Sequence, residues 1–169
     1  PWLSVSGSAR IDHHNIHGFF LSPRGSVRAH RGRWTAGFTA DRSYYSPTSH
    51  LQETEAAGFA RLTVDGELEA ETARSVSADL TYGTRTAGVA LTVFRSHIDH
   101  PALVDRSTYT LRTDPDPVVT RGVELAGTAR RAPFAVTGTY VYLRSRERGD
   151  VEVARTPRHG ASLVAAAEG

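Results

Sequence analysis

Apolar and polar residues alternate one by one along most of this chain, and a helical i, i+3, i+4, i+7 spacing hardly appears. Leu3, Val5, Gly7, Ala9 and Ile11 share one face of a first segment, while Ser4, Ser6, Ser8, Arg10 and Asp12 share the other. The next segment sets Phe19, Leu21, Pro23, Gly25, Val27 and Ala29 against Ser22, Arg24, Ser26, Arg28 and His30. Trp34, Ala36, Phe38 and Ala40 then oppose Thr35, Thr39 and Asp41, and Val76, Ala78, Leu80 and Tyr82 oppose Ser75, Ser77, Asp79 and Thr81. Segments near 87–98, 119–130, 134–146 and 155–167 repeat the pattern with more noise, faltering at Val93-Phe94 and Val141-Leu143. The pattern predicts an all-β protein of about eight antiparallel strands, each near the roughly 9–11 residues that cross a bilayer when tilted.

The connections alternate in length. Short turns fall at Arg31-Gly32-Arg33, Gly83-Thr84-Arg85-Thr86 and Arg131-Ala132-Pro133. Long polar connections span 41–72, about 99–118 and 146–154, with a shorter one at Asp12–Gly18. An up-and-down sheet with short turns at one end and long loops at the other is the pattern of outer-membrane barrels, and it puts both ends of the chain on the short-turn, periplasmic side. Within the longest loop, Thr48 or Ser49 is placed to cap one or two helical turns that Gly58 ends.

Alternation alone leaves two orientations open, since a soluble barrel also has one apolar and one polar face. Here the polar face is rich in Ser, Thr and Arg rather than in the Lys and Glu usual against bulk water, which suits a filled or watery lumen. Trp34 and Tyr82 fall where one aromatic girdle belongs, and Tyr140 and Tyr142 where the other does. A soluble β-barrel that binds a small molecule is the alternative, and a passive porin a second one.

Composition narrows the chemistry. Cysteine is absent from the 169 residues, which excludes disulfides, thiol nucleophiles and thiolate metal sites. The 20 Lys+Arg residues are all arginine, and the formal charge of +2 is scattered, so no nucleic-acid partner is expected. No apolar run reaches about 18 residues, so any membrane crossing must use strands. The chain lacks methionine and begins at Pro1, so it is expected to be an internal piece: residues 1–169 as a partial barrel domain, its plug and remaining strands lying elsewhere in a longer protein.

Several strings carry a family likeness. Ser8-Ala9-Arg10-Ile11-Asp12-His13-His14 followed by Phe20-Leu21-Ser22-Pro23-Arg24 resembles a hairpin of TonB-dependent receptors, in which a strand ending in Arg-x-Asp returns through Ser-Pro-Arg. Glu69-Ala70-Glu71-Thr72-Ala73-Arg74-Ser75 is similar to the stretch that begins a descending strand in that family. Phe94-Arg95-Ser96-His97-Ile98-Asp99, Thr120-Arg121-Gly122-Val123-Glu124-Leu125, Tyr140-Val141-Tyr142-Leu143 and Arg155-Thr156-Pro157-Arg158-His159 follow in order over nearly the whole chain. Asp41-Arg42-Ser43-Tyr44-Tyr45-Ser46-Pro47-Thr48 departs from the family's usual Gly-Phe-Arg-x-Pro, and Leu68-Glu69-Ala70-Glu71 lacks its Lys-Pro-Glu. The resemblance implies a later part of a transmembrane barrel of about 22 strands, so that eight strands form roughly a third of the wall. It also implies outer-membrane lipid, the receptor's own plug domain, the TonB energy-coupling complex and a small-molecule ligand such as a metal–siderophore complex as partners.

No catalytic constellation emerges: there is no Gly-x-Ser-x-Gly elbow and no phosphate-cradling glycine loop ahead of a helix, and neither enzyme activity nor a cofactor is expected. Asp12-His13-His14-Asn15-Ile16-His17 has metal-ligating residue types, but it is read as a solvated hairpin loop, and His97-Ile98-Asp99-His100 lies at a different hairpin. Arg10, Arg24, Arg28, Arg74, Arg130 and Arg158 are expected to face the lumen, either attracting an anionic ligand or pairing with Asp12, Asp41, Asp79, Glu124 and a plug. Tyr44, Tyr45 and His50, placed on the long loop that closes over the ligand, are the foremost ligand-contact candidates, with Arg24 and Arg74 beside them.

Overall fold

A computed structural model describes residues 1–47, 63–105, 107–147, 151–153 and 157–167. Eight long antiparallel strands lie side by side: β1 (Leu3–His14), β2 (Gly18–Arg31), β3 (Trp34–Tyr45), β5 (Glu71–Gly83), β6 (Ala87–Asp99), β9 (Val118–Arg131), β10 (Phe134–Glu147) and β12 (His159–Ala167). Four short strands complete the set: β4 (Thr63–Val64), β7 (Ala102–Asp105), β8 (Thr110–Thr113) and β11 (Val151–Glu152). The sheet is open, with β1 and β12 at its edges. Seven of the long strands run 12–14 residues, longer than the bilayer minimum, because the ladders continue into segments read from sequence as loops.

The register carries the alternation across the whole wall. Val27 faces Phe38, Phe38 faces Ala78, Ala78 faces Val93 and Val93 faces Val123, so the apolar residues of five strands form one continuous row on one face. Val76, Leu80, Leu91 and Leu125 are all 40–44% exposed on that face, whereas Ser77, Asp79, Thr92 and Ser96 on the other are partly shielded. A sheet that shields its polar side more than its apolar side curls toward the polar side. The described apolar core is correspondingly small and sits elsewhere, at Ala102 and Leu111. Trp34 and Tyr82, directly opposite each other at the short-turn end, pack with ring centroids 4.8 Å apart on the apolar face.

The short turns form as the sequence predicts. Gly32, at φ +61°, opens a two-residue turn between the paired Arg31 and Trp34, a conformation that glycine adopts without steric cost. At the next turn Thr84 Oγ1 accepts the Ala87 N–H at 2.9 Å. Phe94 breaks the alternation by standing on the polar face, and it fits there because its cross-strand neighbour is Gly122. A Cβ on Gly122 would lie 2.6 Å from both the Phe94 ring and the Tyr142 carbonyl. Gly122→Val in the full-length parent is therefore expected to cost about 1–3 kcal/mol by overpacking and to lower the yield of assembled barrel. Gly25→Val, where a Cβ meets open space, is the control, and equal yields of the two by heat-modifiability on gels would refute this account.

At the other end the long connections are structured. β4 pairs parallel to β8 and β7 pairs antiparallel to β8, making a separate three-stranded sheet from the two long loops. Leu111 at its centre has no exposed surface. The Glu71 carboxylate accepts the Ala102 N–H at 2.7 Å, and the Glu69 N–H donates to Thr113 Oγ1 at 2.9 Å, tying this lobe to the top of β5. The segment 99–118, expected as a polar connection, thus holds its own hairpin with a buried leucine.

Candidate functional site

Pro23 lies in β2 and brings no N–H to a ladder; the β2–β3 pairing stops at the adjacent Arg24–Asp41 pair. Beyond that point the two strands are no longer paired, and a cleft of about 260 Å³ opens at the loop end, lined by Arg10, Asp12, Ser22, Ser43, Tyr44, Tyr45 and Ser46. Arg10 Nε donates to Asp12 Oδ1 at 2.8 Å, two residues along the same strand and face. The other carboxylate oxygen, Asp12 Oδ2, is buried with no hydrogen-bond partner among the described residues. Tyr44 stacks on Phe20 with ring centroids 4.0 Å apart and planes 6° from parallel, closing one wall of the gap. The cleft therefore offers a guanidinium, a carboxylate oxygen, three serine hydroxyls and two tyrosines, a set suited to a polar ligand with an aromatic or apolar body.

The sequence-predicted site residues divide. Tyr44 and Tyr45 line the cleft, yet they belong to β3, opposite Thr72 and Glu71, and not to a loop. The loop expected from 41 to 72 is shorter at both ends: β3 runs on through Tyr44 and Tyr45, residues that favour the extended ladder, and β5 starts at Glu71. His50 and the helical turns expected after Thr48 lie outside the described residues. Arg24 stands below the cleft, opposite Asp41, with no ion pair between them.

Arg74 corrects its expectation. It shares the face of Val76, Leu80 and Tyr82 by the period of two, so it points away from the polar face, and it meets Asp99 at 3.5 Å. Arg158 also departs from the expected set: it precedes β12 and is held by Glu152 of β11, whose carboxyl it keeps below the usual range. Among the expected carboxylate partners, Asp12 alone forms an ion pair with an arginine of that set among the described residues. The histidine hairpin is a structural loop: His14 Nδ1 accepts the Ile16 and His17 N–H groups at 3.3 and 3.4 Å. No group of three or more His, Asp or Glu able to hold a metal occurs among the described residues. Ser22 and Ser43 were not singled out from the sequence; the signal that could have pointed to them is Pro23, next to the Arg24–Asp41 pair at which the β2–β3 ladder ends.

The family model described as TonB dependent receptor-like, beta-barrel matches residues 1–168. The chain belongs to the TonB-dependent receptor family. No curated protein matches it in sequence. Among solved structures it is similar to the FrpB iron transporter of Neisseria meningitidis in its apoprotein form, at 14% identity and TM-score 0.72 over 98% of this chain and 28% of that one. The siderophore receptor PirA of Pseudomonas aeruginosa is similar over 86% of this chain and 29% of its own, at 17% identity and TM-score 0.71. A mutant of the ferric enterobactin receptor of the same organism matches at 18% identity and TM-score 0.67, over 85% and 24%. The chain thus spans about a quarter of the length of these receptors. As a segment of a TonB-dependent receptor barrel, it is an antiparallel β-barrel wall whose sheet is not closed within these residues.

Proposed function

We propose that this chain supplies wall and loop-end cleft to an outer-membrane receptor for energy-dependent uptake of a scarce ligand such as a metal–siderophore complex. The TonB energy-coupling complex acts on the receptor's plug domain, and the sheet's polar face, with Asp79 and Glu124 on either side of Thr92, lines the lumen around it. The observation that carries the reading is the family match over residues 1–168, supported by structural neighbours described as an iron transporter and as siderophore receptors. The cleft lies at the loop end, where an arriving ligand is met first.

Cells carrying the full-length parent are expected to accumulate one member of a panel of radiolabelled ferric siderophores, and an uncoupler of the proton gradient should stop that accumulation. Uptake that follows the external concentration and ignores the uncoupler would make the protein a passive porin instead. With the accumulated siderophore as probe, Tyr44→Ala and Arg10→Ala are each expected to weaken binding about tenfold, the loss of roughly 1.4 kcal/mol, with barrel assembly unchanged. Unchanged affinity in both variants would remove the cleft from the binding site.

A further inference from the structure

The short-turn end of the wall carries positive charge without a counter-charge. The three turns and the strand ends that enter them hold Arg31, Arg33, Arg85, Arg130 and Arg131, all exposed. Residues 28–37, 80–90 and 126–138 contain no Asp or Glu. None of the five arginines forms an ion pair among the described residues, whereas toward the loops Arg10, Arg74 and Arg158 each meet a carboxylate. The Gly83 N–H donates to the Arg33 carbonyl at 3.1 Å and the Arg130 N–H donates to the Thr86 carbonyl at 2.7 Å, so backbone hydrogen bonds link the three turns into one rim. Successive turns are two strand spacings apart, roughly 10 Å, which keeps the charges from spreading out. Like charges fixed at that spacing raise the potential of the rim and favour a polyanion as its partner.

Two features of the rim select among polyanions. By the period of two, only Arg31 and Arg131 share the apolar face, beside Trp34 and Phe134, where lipid headgroups would lie against the wall. Arg130 stands on the polar face, and Arg33 and Arg85 occupy the turns themselves. The set as a whole is therefore presented to a partner lying across the end of the wall and not to one beside it. The turns also lack a large apolar side chain, since the residues around their arginines are Gly32, Thr84, Thr86, Ala132 and Pro133. A folded protein is gripped mainly through anchors in desolvated pockets, and three tight turns of such residues build no pocket. A flexible carboxylate-bearing polymer needs only charge and fork geometry, because a guanidinium donates two parallel hydrogen bonds to one carboxylate.

We infer that Arg31, Arg33, Arg85, Arg130 and Arg131 dock the end of the wall on peptidoglycan, the carboxylate-bearing glycan–peptide polymer of the periplasm. The inference rests on the outer-membrane reading above, which places the short turns on that side. It is tested with the purified full-length parent in neutral detergent, by co-sedimentation with isolated peptidoglycan sacculi and with sacculi whose carboxyl groups have been amidated. The wild type is expected to sediment with the native sacculi and to stay in solution with the amidated ones. Arg33→Gln with Arg85→Gln and Arg131→Gln should weaken binding about tenfold, roughly twofold for each exposed arginine. The matched triple Arg42→Gln, Arg95→Gln and Arg121→Gln removes the same charge from exposed positions at the loop end and should bind as the wild type does. Equal sedimentation of the wild type with both kinds of sacculi, or none with either, would overturn the docking, and neither comparison needs a variant. So would a rim triple that assembles and binds as the wild type does, or a loop-end triple that loses as much. If the wild type ignores sacculi but retains cardiolipin in native mass spectrometry, and the rim triple releases it, the arginines belong to phospholipid headgroups and the peptidoglycan reading fails. Fractionation of the parent away from the outer membrane would instead defeat the premise, and it is read without any sacculi.

Discussion

Leu91→Arg in the full-length parent is expected to abolish most barrel assembly. Leu91 lies between Leu80 and Leu125 in the apolar layer, each directly opposite on the neighbouring strand and all three exposed on that face. A guanidinium in this layer loses its water without gaining a carboxylate, at a cost that reaches about 2–4 kcal/mol where the layer is deepest. Against the marginal stability of a folded chain that is a large fraction. The neighbouring Thr92→Arg should be tolerated, because Thr92 stands on the opposite face between Asp79 and Glu124, and an arginine there gains two carboxylate partners. Folded barrel in outer-membrane fractions, read by heat-modifiability and by urea unfolding in liposomes, distinguishes the two. Normal assembly of Leu91→Arg with failure of Thr92→Arg would mean that the face taken to meet lipid is the lumenal one.

Leu111→Asp is expected to unfold the loop lobe while leaving the wall in place. Leu111 has no exposed surface, and it joins β4 through Val64 and β7 through Val104. Truncating a leucine at such a site costs about 2–5 kcal/mol, and a carboxylate there adds desolvation. The ladders of β5 and β6 do not pass through this residue, so the barrel should still assemble. Protease added to intact cells should then cut between residues 63 and 118 at least tenfold faster than in the wild type. An unchanged cutting rate would show that this leucine does not hold the lobe together, and loss of assembly would make the lobe part of the wall.

The two predictions depend on different kinds of legibility. The face of Leu91 was readable from period-two alternation, because successive side chains on a strand must point to opposite sides. The burial of Leu111 was not, since Thr110-Leu111-Arg112-Thr113 is too short and too polar to stand out, and one of its two strand partners is Val64, distant in the chain. Tyr44 and Tyr45 were singled out for the right end of the molecule and the wrong element. A strand that outlasts the apolar layer has no hydrophobic period to mark its continuation, so Asp41–Tyr45 looked like loop. Arg74 was misplaced although its own strand contradicts a lumenal position: counting by twos from Val76 puts it outside.

The sequence by itself determined the all-β class, the wall strands, the positions of the short turns and the apolar face of Val76, Leu80 and Leu91, because steric alternation and turn-forming residues act over a few neighbours. Tertiary structure decided what depends on which strand lies next to which. Strand order gathered Arg10, Asp12, Ser22 and Tyr44 around one gap, and register brought Arg95, Arg121 and Arg144 from separate strands into one row. Neither grouping exists along the chain, since hydrogen-bonded pairing joins residues by their sum of positions across a turn and not by their proximity in sequence.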